Sequence, residues 1–190
     1  MSLFELYLRL GFQHIIDING YDHIIFILAL CAGFSYTQFR KILILITAFT
    51  IGHSVTLALS TLKVVSIPSN IIEFLIPVTI LITALSNLLN SEKGKGSFIY
   101  FVTLFFGLIH GLGFSNYLKE LLGKESSIIT PLLAFNVGLE IGQIVVVAIH
   151  YLVLFMAITL FKLNHKNWKI FISGAAVGIS ILLILQNKIW

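Results

Sequence analysis

Apolar residues fill this chain in long stretches broken by short polar links, without the one-sided stripe that marks the surface helix of a soluble protein. A helix that crosses a bilayer needs about 20 mostly apolar residues, within a range of roughly 17–25. That measure predicts spans over Ile18 to Phe34, Phe39 to Leu62, Ile71 to Leu89, Ser97 to Leu118, Ile128 to Phe161 and Trp168 to Leu185. The third carries Pro77, a kink for neighbouring helices to accommodate. The fifth is too long for a perpendicular crossing and tilts or extends beyond the bilayer. Trp168 and Trp190 flank the sixth, as suits the two interfaces. Ahead of these, Met1 to Gly11 interleaves leucines with Glu5 and Arg9 and lacks a basic leader and a small-residue cleavage site, so it is expected to lie on the membrane as an interfacial helix. The expected fold is all-α: a polytopic transmembrane bundle of about six spanning helices with a short N-terminal interfacial helix, and residues 1–190 forming one integral-membrane domain. The links Ser35 to Gln38, Lys63 to Asn70, Asn90 to Gly96, Lys119 to Ser127 and Lys162 to Asn167 are short, which makes sequential helices antiparallel neighbours.

Composition agrees. The chain is 58% hydrophobic and only 11% charged, against about 25% charged in soluble domains, and its mean hydropathy is +1.02. The net charge of +4 is scattered over short loops, which excludes a nucleic-acid face. The lone Cys31 excludes a disulfide framework. Expected partners are the lipid bilayer and a metal ion, with a homo-oligomer left open. Arg40, Lys41, Lys93, Lys95, Lys162, Lys166 and Lys169 fall on one side of the membrane, and Arg9, Lys63, Lys119, Lys124 and Lys188 on the other. This asymmetry predicts a multi-pass cell-membrane protein with both termini outside.

Against that background the ionisable residues inside the spans carry the chemistry, because each costs roughly 2.5–3.5 kcal/mol on insertion scales and by default faces the protein interior. His14 to His23 places two imidazoles and the carboxylates of Asp17 and Asp22 at the mouth of the first span. Glu73 lies near the same end of the third span. His53 lies about nine residues from Leu62 and His110 about eight from Leu118, depths of roughly 12–14 Å at 1.5 Å per residue. On the fifth span Asn136, Glu140 and Gln143 recur at i, i+4 and i+7, one stripe on one face. All these groups fall in the same half of the membrane. Gly52, the pair Gly107 and Gly111, and the pair Gly138 and Gly142 accompany them, and small residues let helix backbones approach closely. Imidazole with carboxylate or amide oxygen suits a divalent transition metal such as nickel, cobalt or zinc. The predicted ligand set is His23, His53, His110, Asp22, Glu140, His14 and Glu73, with Asp17, Ser54, Asn136 and Gln143 as partners that orient it. A single intramembrane histidine is as often a helix-to-helix hydrogen-bonding group. Ser54 and its neighbouring threonines commonly bond back to their own helix. His150 reads as a packing or relay residue and His165 as solvated.

Four stretches in order, Gly20-Tyr21-Asp22-His23-Ile24-Ile25-Phe26, Thr47 to Leu57 with Gly52-His53-Ser54, Phe106 to Phe114 with His110-Gly111, and Phe135 to Gln143 with Asn136 and Glu140, resemble the HupE/UreJ family of hydrogenase and urease accessory membrane proteins. The resemblance implies nickel or cobalt permease activity and carries Asp22, His23, His53, His110 and Glu140 over as site residues; Glu73 and His14 rest on depth alone. The leading expectation is a permease for a divalent transition metal. An intramembrane zinc-dependent hydrolase acting on a lipid or lipidated substrate, with Glu140 or Asp22 as general base, is the alternative. A polar cluster that only specifies helix packing is the third.

Overall fold

The computed structural model describes residues 2–89, 98–122 and 128–189. The predicted link over 90–96, residues 123–127 of the one over 119–127, Lys93, Lys95 and Lys124 from the charge comparison, and the flanking Trp190 lie outside the described residues. Among the described residues seven helices follow in order: α1 (Leu3–Ile16), α2 (Asp22–Ala32), α3 (Phe39–Thr61), α4 (Ser69–Leu89), α5 (Phe98–Leu122), α6 (Ile129–Phe161) and α7 (His165–Gln186), with a short 3₁₀ turn at Tyr36–Gln38. Five of them, α3 to α7, are long and apolar enough to cross a membrane, and α2 is a shorter apolar helix. The protein is an all-helical, multi-pass membrane bundle. Its outer surface keeps large apolar side chains such as Phe98, Phe161 and Phe171 exposed, as a lipid-facing surface requires.

The tightest seams join helices that are remote in sequence and run in the same direction. A Cβ added at Gly52 would strike the carbonyl of Leu104, one at Gly107 the carbonyl of Phe49, and one at Gly111 the carbonyl of His53, so α3 and α5 lie backbone to backbone. Gly11 meets the carbonyl of Phe135 and Gly138 that of Leu8 in the same way, which docks α1 along the first half of α6. Small residues at these crossings, rather than loop length, decide which helices touch. The pair α4 and α7 is antiparallel and tied at both ends: Asn87 Nδ2 donates to Ser173 Oγ at 3.3 Å, and Asn187 Nδ2 to Glu73 O at 3.3 Å, while Asn87 Nδ2 also reaches Ala29 O of α2 at 2.6 Å.

The N-terminal third differs from the simplest reading of its hydropathy. α1 is not free on a surface, since its face of Tyr7, Gly11 and Ile15 is buried against α6. The first apolar run yields a helix of only 11 residues, about 16 Å long and so about half a bilayer. α2 also packs on α6, and its Ile24 and Leu28 line a cavity together with Ile16 of α1 and Val146 and His150 of α6. Together α1 and α2 follow α6 as two half-helices interrupted at residues 17–21. The reason for the break is local: Asp17 Oδ1 accepts from Asn19 N at 2.9 Å, an Asx turn that competes with helical bonding and is followed by Gly20.

Candidate metal centre

The break in the first crossing brings two histidines to one point. His14 sits in the last turn of α1 and His23 in the first turn of α2, and their ring centroids are 4.5 Å apart. From α3, His53 completes a triangle, 5.8 Å from His14 and 6.0 Å from His23. One nitrogen from each of the three lies within 4.8 Å of the others, a spacing that can hold a metal ion. An ion with bonds of about 2.0–2.1 Å to nitrogen would draw them closer. His110 of α5 lies beside this triangle, its ring 5.0 Å from that of His23. The glycine seam between α3 and α5 sets the positions of His53 and His110, since Gly52 and Gly111 flank them at the contact.

Hydrogen bonding fixes which nitrogens are bare. Asp22 Oδ1 accepts from His23 N at 2.8 Å and pairs with His23 Nδ1 at 3.0 Å. An ionised carboxylate only accepts, so His23 carries its proton on Nδ1 and its lone pair on Nε2, which has no partner. Thr79 Oγ1 donates its single proton to Ile76 O at 2.7 Å. It lies 3.0 Å from His110 Nε2, so that nitrogen must be the donor and the lone pair falls on Nδ1, again without a partner. His14 Nε2 and both nitrogens of His53 are likewise buried and unpartnered. Residue exposure is 3% at His23 and 0% at His53 and His110. A buried polar atom with no partner costs about 1–3 kcal/mol. Four imidazoles in that condition at one place leave bare nitrogens with which they could hold a ligand.

The carboxylates do not all join them. Asp22 touches the cluster through His23 and also lines, with exposed Glu73, a small cavity of about 150 Å³. Glu140 accepts from Thr47 Oγ1 at 2.8 Å, six residues from His53 along α3 and so about 9 Å along the helix. Gln143, in the same stripe, accepts from Thr50 at 2.9 Å. Asn136 Oδ1 is buried without a partner. Ser54 bonds back to Thr50 O at 2.6 Å. Asp17 lies in the break, on the far side of His14. His150 accepts from Trp168 Nε1 at 3.4 Å, and His165 Nε2 pairs with Phe34 O at 3.0 Å, so both help to pack α6, α7 and the end of α2. Thr79, which orients His110, was not singled out by sequence; a threonine two residues after the helix proline Pro77 was the available signal.

Two openings flank the break. Besides the small cavity at Asp22, a cavity of about 820 Å³ is lined by Gln13, His14, Asp17, Asn19, Phe114 and Tyr117 among others. The histidine cluster therefore has His14 facing one opening and Asp22 the other.

The family model described as HupE / UreJ protein matches residues 1–188. No curated protein and no solved structure matched. The chain belongs to the HupE/UreJ family.

Proposed function

We propose that this member of the HupE/UreJ family is a permease that takes a divalent transition-metal ion, nickel or cobalt, through the membrane by way of its buried histidines. The observation that carries this reading is the convergence of His14, His23, His53 and His110, each with a bare nitrogen, at an interruption between two half-helices. Broken helices that meet at a buried site are the usual construction of a transport site. His14, His23 and His53 are the ligands in this reading, with His110 and the Asp22 carboxylate beside them. Asp22 raises the basicity of His23 and holds its ring; Thr79 does the same for the orientation of His110.

The ligands belong to different packed bodies. His14 moves with α1 and α6, while His53 and His110 move with α3 and α5, each pair locked by its glycines. A small rotation of one pair against the other separates the ligands and weakens the site, which supplies a route from capture to release. Protonation of the imidazoles competes with the metal and assists release. The charge asymmetry of the loops orients this path with both termini outside.

The hydrolase reading needs a carboxylate free to act as general base at the metal. Asp22 is engaged by His23, and Glu140 is held by Thr47 away from the triangle. That favours transport. The test is uptake of radioactive nickel or cobalt into proteoliposomes: wild-type uptake should exceed that of His53→Ala and His110→Ala at least tenfold, and uptake equal to these controls would refute the permease.

A further inference from the structure

The larger opening beside His14 is too big for a hydrated ion. Six waters at roughly 30 Å³ each occupy about 180 Å³, whereas this open cleft offers about 820 Å³. Its walls also have the wrong chemistry for an aqua ion alone. On one side the Phe114 ring lies 4.2 Å from the His14 ring and 5.0 Å from that of Tyr117, an aromatic wall that ends at the metal site. The lining also includes Gln13, Asp17 and Asn19, which bring polar groups to the same cavity. Asp17 uses one oxygen to accept from Asn19 N and keeps a second for another donor. Among the described residues the lining carries this one carboxylate and no cationic side chain.

We propose that this vestibule receives the metal as a neutral or cationic chelate with a small organic ligand bearing amine donors. The inference rests on the permease reading and names the form in which its substrate arrives. The organic part of the chelate packs on Phe114 and Tyr117, which a fully hydrated ion cannot exploit. Its N–H groups donate to Asp17 and to the amide oxygens of Gln13 or Asn19. Anionic chelates are excluded by the uncompensated Asp17 carboxylate. Transfer is a ligand exchange without redox change: the bond from metal to a chelator amine breaks, one to His14 Nε2 forms, and the freed amine takes a proton from water. The smaller cavity at Asp22 and Glu73, about 150 Å³, cannot admit such a complex.

The test uses cobalt(III) complexes, whose ligands do not exchange on the timescale of binding, so that occupancy of the vestibule is read apart from transfer to the histidines. Titration calorimetry of the full chain in mild detergent compares tris(ethylenediamine)cobalt(III) with hexaamminecobalt(III), which has the same charge but no carbon surface. The organic complex should bind saturably and at least fivefold more tightly than the hexaammine; Tyr117→Ala and Asp17→Asn should each weaken it at least fivefold, and Tyr117→Phe should retain it. Equal affinity for the two complexes, absence of saturable binding, or indifference to both Tyr117→Ala and Asp17→Asn would overturn the proposal. Since neither complex can release its metal, this outcome is independent of whether aqua nickel is taken up, and a failure of transport in proteoliposomes would be a separate result.

Discussion

Two polar layers cross the same helix, α3, and they are built in opposite ways. Where α3 meets α6, Thr47 bonds Glu140 and Thr50 bonds Gln143, so hydroxyls and acceptors are matched one to one. One to two turns along, His53 meets His14 and His23 with nitrogens that have no partner. Both layers sit in a segment apolar enough to cross a membrane. The first layer is complete without a ligand and specifies how α3 and α6 pack. The second is incomplete, and one nitrogen from each of His14, His23 and His53 lies within 4.8 Å of the others, a grouping that could hold a metal ion. Polar residues within a membrane thus sort by whether their hydrogen bonds are already made, not by residue type alone.

The contrast can be broken from either side. The largest effect is expected from His53→Ala or His23→Ala. Because losing a group that merely orients a ligand costs about 10–100-fold in metal affinity, losing one of the three imidazoles should weaken nickel binding more than about a hundredfold in equilibrium titration of the purified protein. Asp22→Asn, which removes the acceptor that sets the His23 tautomer, should fall in the 10–100-fold range itself. Next in size is Gly107→Ala: its new Cβ would meet the Phe49 carbonyl, and overpacking of this kind costs about 1–3 kcal/mol. Denaturation in detergent should reveal that loss, together with weaker metal binding as α3 and α5 separate. Thr50→Val strips the satisfied layer of one hydroxyl and leaves Gln143 unpartnered; a loss of about 0.6–1.7 kcal/mol in stability is expected, with nickel affinity changed less than twofold. The smallest effect belongs to Gly174→Ala on α7, where an added Cβ meets nothing within 4 Å. There the higher helix propensity of alanine should leave stability unchanged or raise it by at most about 1 kcal/mol.

Acidity probes the histidine layer. Imidazoles must be neutral to bind a metal. Nickel affinity should therefore fall once the pH is low enough to protonate them, and there more steeply than tenfold per pH unit because more than one imidazole must be kept neutral. A slope below tenfold per unit would mean that a single histidine carries the binding.

Much of the fold is legible in the hydrophobic pattern. The stretches from Phe39, Ile71 and Ile128 became α3, α4 and α6 with ends shifted by no more than a few residues, because in lipid a long apolar segment has no alternative to a helix. Pairing was less legible. Short links suggest that neighbours in sequence pack together, yet Gly52, Gly107 and Gly111 hold α3 to α5, and Gly11 and Gly138 hold α1 to α6. The N-terminal third was the hardest to read, since the apolar count merges Ile18 with α2 and hides the Asx turn at Asp17 that splits α1 from it. Depth along the helices put these histidines in one half of the membrane, His14 and His23 at its mouth and His53 and His110 roughly 12–14 Å down, and the structure draws the two tiers together. Glu140 shares that half but faces Thr47. Depth fixes how far along a helix a residue sits; only packing decides which neighbour it turns toward.

The central claim, that the bare imidazole nitrogens are kept for a metal, is tested most directly by X-ray absorption at the nickel edge on nickel-loaded protein in mild detergent. The account predicts a shell of nitrogen and oxygen without sulfur, with the outer-ring scattering of three or four imidazoles. A spectrum with no imidazole signature, or with the same imidazole number in a His23→Ala, His53→Ala double variant, would contradict it.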